Sequence, residues 1–329
     1  MQIFFMLMLT HVSAIINLFI VKYYSEGVDT KNIGGKKKKL KSNREKQYIP
    51  RNKSRIMFLK FKKNKMAIIG LVIISILIFT GIFADFIAPH SYREQNLPLK
   101  SQSPSSNFWF GTDEFGRCIF SRIVYGASIS LKVGIISTGI SVLIGIIIGS
   151  ISAYYGGFLD QILVMLMDVM WAFPTILLSL IIVAIIGASL NSVIIAIALS
   201  YWVQYARLIR GQILSLKNEL YIEVTRSLGA NDSTILWKHL LPNAIIPVVV
   251  AATLGMGSAI VLEATLSFLG MGAQPPMPSW GSMLSNGRTY LFIAPWSAIF
   301  PGIATIITVL GFNLLGDGLR DIMDIKMKE

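Results

Sequence analysis

The stretch Ser227–Asn243, SLGANDSTILWKHLLPN, interrupts an otherwise greasy chain and runs straight into AIIPVVVAATLGMGSAIVLEATLSFL, Ala244–Leu269. The second segment is 26 residues long with one charged residue, Glu263. About 20 apolar residues suffice to cross a bilayer as a helix. The first segment is its opposite: a glycine, an Asn-Asp-Ser cluster, basic residues and a proline. The pair reads as a membrane span with a polar knob at its foot.

The knob has a local logic. NELYIEVTRSL predicts one short helix and ANDSTILWKHLL a second, folded back at Gly229, which tolerates backbone angles other residues resist. Asn231 or Asp232 stands where a side chain caps the second helix by accepting orphan backbone N–H groups. Pro242 falls at the entry of the following span, where a missing N–H costs little. Ile235, Leu236 and Leu240 supply an apolar anchor, while Gly229, Ala230, Asn231 and Asp232 form a small polar tip. Such a shape suits docking to another protein; the plainer alternative is an ordinary loop.

Outward from this point the chain is membrane-like throughout. It has 329 residues, 53% hydrophobic and only 14% charged, against about 25% charged in soluble domains. Long unbroken apolar runs predict helices, since barrel strands would alternate. Expected spans are Ala67–Ile87, Ser130–Tyr154, Gln161–Ile186, Ser192–Ala206, Ala244–Leu269 and Ile299–Leu315. The fold class is therefore all-α, a polytopic membrane protein with about six transmembrane helices. Three parts follow: a basic tail over 1–66, a first span with its outer loop over 67–128, and a five-helix core over 129–329 that includes the knob at 207–243.

Charge orients the spans. The net charge is +13, and Lys22–Lys65 alone carries 16 basic residues against 3 acidic ones. A basic run beside a span belongs on the cytoplasmic side, near anionic lipid. That reading displaces nucleic acid as a partner. Arg207, Arg210, Lys217, Arg226 and Lys238 put the knob on the same side, and the loop 107–128 outside. Residues 1–21 are apolar, with positive charge after them instead of before, unlike a secretory signal. They fit an extra hydrophobic segment or an upstream start.

Several residues inside the spans stand out. Ser137, Ser141, Gly145, Gly149 and Ala153 recur every fourth position and line one face, suited to close helix packing or to a gate. WAFPT, Trp171–Thr175, places Pro174 where a kink is expected. Asp168 lies near enough to the inner end to be solvated. Glu263 is a costly intramembrane acid, read either as a structural hydrogen-bond partner or, with Ser258, as part of a pathway.

Cys118 is the single cysteine, and His11, His90 and His239 are scattered. No disulfide framework or metal-ligand pattern emerges. There is no phosphate-binding GxxxxGK[ST] loop. An intramembrane enzyme would need a base beside Ser258 or Glu263, and no histidine, lysine or second acid is spaced to supply it.

The knob resembles the EAA loop of binding-protein-dependent ABC importer permeases. Glu223 matches the acid, Gly229 the glycine, and Leu241 and Pro242 the end of the motif; Val224 and Thr225 replace two alanines, and His239 an isoleucine. FWFGTDEFGRCIFSRIVYGASISL, EATLSFLGMGAQPPMPSWGSML and NLLGDGLRD are similar to the dipeptide/oligopeptide C-type permeases, which include nickel and opine carriers. Cys118 replaces their usual acid. The resemblance covers Ser54–Asp324 and implies a type I ABC importer permease architecture in the cell membrane. It implies a knob that docks in an ATPase cleft, and peptide transport without catalysis by this chain. The implied partners are a second related permease, two ATPase subunits and an extracytoplasmic substrate-binding protein. ATP and Mg would bind to the ATPases, and no cofactor to this chain.

Overall fold

All regular structure among the described residues, 60–324, is helical in this computed structural model, apart from one isolated bridge between Thr112 and Cys118. Residues 1–59, the segment 1–21 and most of the basic tail, lie outside the described residues. From Asn64 onward the chain forms one unit. Its helices are α1 (Lys65–Ile82), α2 (Ile119–Tyr155), α3 (Gly157–Ala172), α4 (Thr175–Ile186), α5 (Leu190–Leu216), α6 (Leu220–Ser227), α7 (Leu241–Phe268), α8 (Trp280–Thr289) and α9 (Trp296–Asp324), with shorter turns between.

Among the described residues, five helices are long and apolar enough to span a membrane, and a sixth span results if α3 and α4 are counted together. Those two are bent by 92°, so the kink expected at Pro174 is a full break and the span read over Gln161–Ile186 is two helices. The break falls at Phe173–Pro174. Proline lacks an N–H and pushes the residue before it into extended backbone, and Phe173 has φ −90° and ψ 133°.

Other boundaries move for legible reasons. α2 begins at Ile119 instead of Ser130 and is 37 residues long. Arg122, Tyr125 and Ser128 interrupt the apolar run there without interrupting the helix. α5 continues past Ala206 to Leu216, because arginines end a hydrophobic pattern but are good helix formers. The second short helix expected in the knob is instead continuous with the fifth span. Asp232–Thr234 leads through a π turn, Ile235–Leu240, into α7, giving 37 helical residues from Asp232 to Phe268.

The heart of the bundle is the seam between α2 and α5. Ser137, Ser141, Gly145, Gly149 and Ala153 are all buried on it. A Cβ at Gly145 would sit 2.6 Å from the Tyr205 Cβ, and one at Gly149 would strike the Ala206 carbonyl. The Ser141 hydroxyl reaches the Ala198 carbonyl at 3.0 Å. The stripe is a packing surface: without side chains in the way, the two backbones meet. A similar approach joins α1 to α9, where a Cβ at Gly70 would come within 2.5 Å of the Leu315 amide nitrogen. Asn64 closes the foot of that pair, accepting from the Ala67 N–H at 3.1 Å and donating to Asp321 at 3.2 Å.

Candidate functional site

The knob is held by its apolar side. Ile222 of α6 packs with Ile235, Leu236 and Leu240 against Tyr154 of α2 and Tyr205, Ile209 and Ile213 of α5. All of these are buried, so the three apolar residues expected to anchor the knob do so. The opposite side is open. Glu223 and Val224 are exposed, and Leu228 at the bend is 82% exposed.

Gly229 has φ +84°, and a Cβ built there would meet nothing within 4 Å. Conformation, not space within this chain, is what calls for glycine. The Ala230 N–H donates to the Thr225 carbonyl at 3.3 Å and closes the bend. Asn231 is the cap: its side-chain oxygen accepts from the Thr234 N–H at 2.8 Å. Asp232 has another partner, accepting the Tyr154 hydroxyl at 2.6 Å. Lys217 Nζ donates to the Tyr154 carbonyl, also at 2.6 Å. Leu241 and Pro242 form the first turn of α7. Gly229, Ala230, Asn231 and Asp232 thus form one tip, Glu223 lies beside it on α6, and Leu241 and Pro242 lie at its root. Tyr154 and Lys217 are the members that local sequence does not reveal, because their partners are brought together only by the α2–α5 seam.

Beside the knob, two ion pairs fasten α3 to α5. Arg210 donates to both oxygens of Asp160, from Nε at 2.8 Å and from Nη2 at 2.6 Å, with Ser152 sharing the same carboxylate. Arg207 donates to Asp168 and lies 4.0 Å over the Trp171 ring. Asp168 is exposed.

Glu263 and Ser258 are not brought together. Ser258 is exposed, whereas Glu263 is fully buried near the far end of α7. Oε1 of Glu263 accepts the Ser267 hydroxyl at 2.6 Å, and Oε2 has no partner. The bond to Ser267 lies within its own helix, and Ser279, at the start of α8, is its other polar neighbour.

At the other face a buried charge cluster ties the first outer loop to α2 and α8. Arg117 Nε donates to Asp113 at 2.6 Å, Arg122 Nε lies 3.6 Å from the same carboxylate, and Asn286 donates to Glu114 at 3.1 Å. Burial and then the neighbouring Asp113 push the Glu114 carboxyl above its usual range, against the opposing pull of Arg117 and Arg122. Cys118 follows directly. It is 2% exposed and starts α2 without a side-chain capping bond. The thiol is packed away, so it is not the outward-facing labelling site that its position in the loop 107–128 suggests.

Comparison with known proteins agrees with this layout. Residues 142–329 match the family described as binding-protein-dependent transport system inner membrane component, and residues 54–104 the N-terminal TM domain of oligopeptide transport permease C. The chain is 46% identical to the dipeptide transport system permease protein of Alkalihalophilus pseudofirmus, over 86% of this chain and 93% of that protein. It is 41% identical to the oligopeptide transport system permease protein of Bacillus subtilis, over 82% and 89%. Identity is 44% to the glutathione transport system permease protein of Pectobacterium atrosepticum, over 82% and 90%. Among solved structures, the inward-facing methionine ABC transporter superposes with a TM-score of 0.52 at 21% identity, covering 62% of this chain and 98% of that one. That likeness concerns the fold.

Proposed function

Because the chain belongs to the binding-protein-dependent transport system inner membrane components, the permease subunits of ABC importers, we propose that its cargo is short peptides. The observation that carries this reading is the set of names borne by its relatives: dipeptide, oligopeptide and glutathione permeases, at 46%, 41% and 44% identity over more than four-fifths of this chain. All three cargoes are peptides. The chain itself is a multi-pass bacterial membrane protein and a transport component, not an enzyme. Its family works with ATPase and substrate-binding partners.

In the proposed assembly this chain pairs with a second, related permease, two ATPase subunits and one extracytoplasmic binding protein. ATP and Mg are held by the ATPases, and this chain binds no cofactor. The knob around Gly229 seats in an ATPase cleft. Its open side, with Leu228 82% exposed, supplies apolar surface for that contact. Closure of the ATPase pair on ATP moves the knob, and the spans turn from inward-facing to outward-facing.

Uptake of labelled dipeptides, longer peptides and nickel by cells with and without the chain tests the cargo. Loss of peptide uptake alone is the expected result. Loss of nickel uptake with peptide uptake intact would replace the peptide reading.

A further inference from the structure

α3 and α5 enclose a cleft of about 210 Å3, lined by Val164, Met167, Arg207, Arg210 and Gly211. This is far more than one water needs, on the order of 15 Å3. The basic residues assign it to the cytoplasmic side. We propose that the cleft holds the headgroup of an anionic phospholipid of the cytoplasmic leaflet.

Donors come first. Each guanidinium carries five N–H bonds in a fork suited to phosphate. Arg207 spends one on Asp168, and its Nε has no acceptor. Arg210 spends Nε and Nη2 on Asp160, which leaves Nη1. Asp168 and Asp160 match Arg207 and Arg210 one to one, and Lys217, outside the lining, is near enough to act on Asp160 as well.

The walls favour a lipid over a free ion. Val164 and Met167 are aliphatic, which suits a glycerol backbone and the first acyl carbons. The placement of α3 agrees. α4 runs alongside α5, joined by the 2.9 Å Ser179–Ser200 contact, and α3 turns 92° away from α4. It therefore lies across the bundle, at the level of Arg207 and Arg210. Phe158, Leu159, Ile162, Met165, Leu166 and Val169 are exposed at helical spacing along it. A polar side toward the arginines and an apolar stripe beyond is the pattern of a helix lying in the membrane interface.

Gly211 is the third observation. Glycine inside a helix costs about 1 kcal/mol relative to alanine. At Gly145 and Gly149 the close approach of α5 to α2 explains it. At Gly211 a Cβ would meet nothing within 4 Å. Gly211 lines the cleft, and its missing side chain leaves that wall open.

The test is native mass spectrometry of the protein, purified with its accompanying subunits in mild detergent and supplied with phosphatidylglycerol or phosphatidylcholine. Wild type is expected to retain phosphatidylglycerol several-fold over phosphatidylcholine. Gly211→Leu adds a side chain to the lining at a position where a Cβ meets nothing within 4 Å and should abolish the preference; Arg207→Gln should reduce it. Gly139→Leu, at another position where a Cβ meets nothing, should leave it unchanged. Undiminished preference in Gly211→Leu overturns the proposal, as does wild type without a preference. Displacement of the lipid by millimolar inorganic phosphate would show a site for a free anion and overturn it equally.

Discussion

Gly229 concentrates two demands on one residue: a left-handed backbone and an unhindered tip. At φ +84°, replacement by leucine costs on the order of 1 kcal/mol or more in backbone strain, outside the bilayer and away from the span packing. Gly229→Leu is expected to reach the membrane in normal amounts while uptake falls away and ATPase subunits co-purify less. Gly229→Asn should retain more function, because asparagine enters that region more readily; Glu223→Ala should be milder still. Membrane abundance, co-purification and uptake, measured together, check this, and wild-type uptake by Gly229→Leu would remove the knob from the coupling path. A second residue-scale outcome concerns Cys118. Cysteine begins α2 with no capping bond, where serine offers an acceptor to the first turn. Cys118→Ser should raise the thermal midpoint of the purified protein, by an amount corresponding to about 1 kcal/mol.

At the scale of elements, the α2–α5 seam sets the tolerance of the bundle. A side chain at Gly149 runs into the Ala206 backbone, and backbone cannot turn aside as a long side chain can. Gly149→Leu should lower membrane abundance sharply, whereas Gly139→Leu should not; quantitative immunoblotting of membranes separates them. The same elements show what is legible in a sequence. The spans are, because a run of about 20 apolar residues has few other uses. Pro174 announces a break, but the 92° angle depends on Asp160 and Asp168 meeting arginines on α5, a matter of tertiary contact. α8 is missed because WGSMLSNGRT is rich in glycine and serine and has no apolar run. In the knob, Gly229, Asn231 and Pro242 are legible because bends and caps are local. The brace from Tyr154 to Asp232 is not, since 78 residues separate its ends.

At the scale of the whole molecule, orientation is open to direct test. The single native cysteine is buried, so an introduced cysteine is read against a quiet background. Asn231→Cys should react with an impermeant thiol reagent in inverted vesicles and stay silent in intact cells. Labelling from outside would reverse every span.

One helix touches both ends of this arrangement. α2, 37 residues long, extends about 55 Å at 1.5 Å per residue. Its foot, Tyr154, is bonded to Asp232 in the knob. Its head, Arg122, lies in the buried charge cluster with Asp113 and close to Arg117. A rod clamped at both ends does not relay a displacement in stages; it moves as one piece. Under the proposed coupling, a tug at the knob would then arrive at the far end of α2 with no phase lag, and slack in either clamp would appear as backlash: ATP consumed without a stroke.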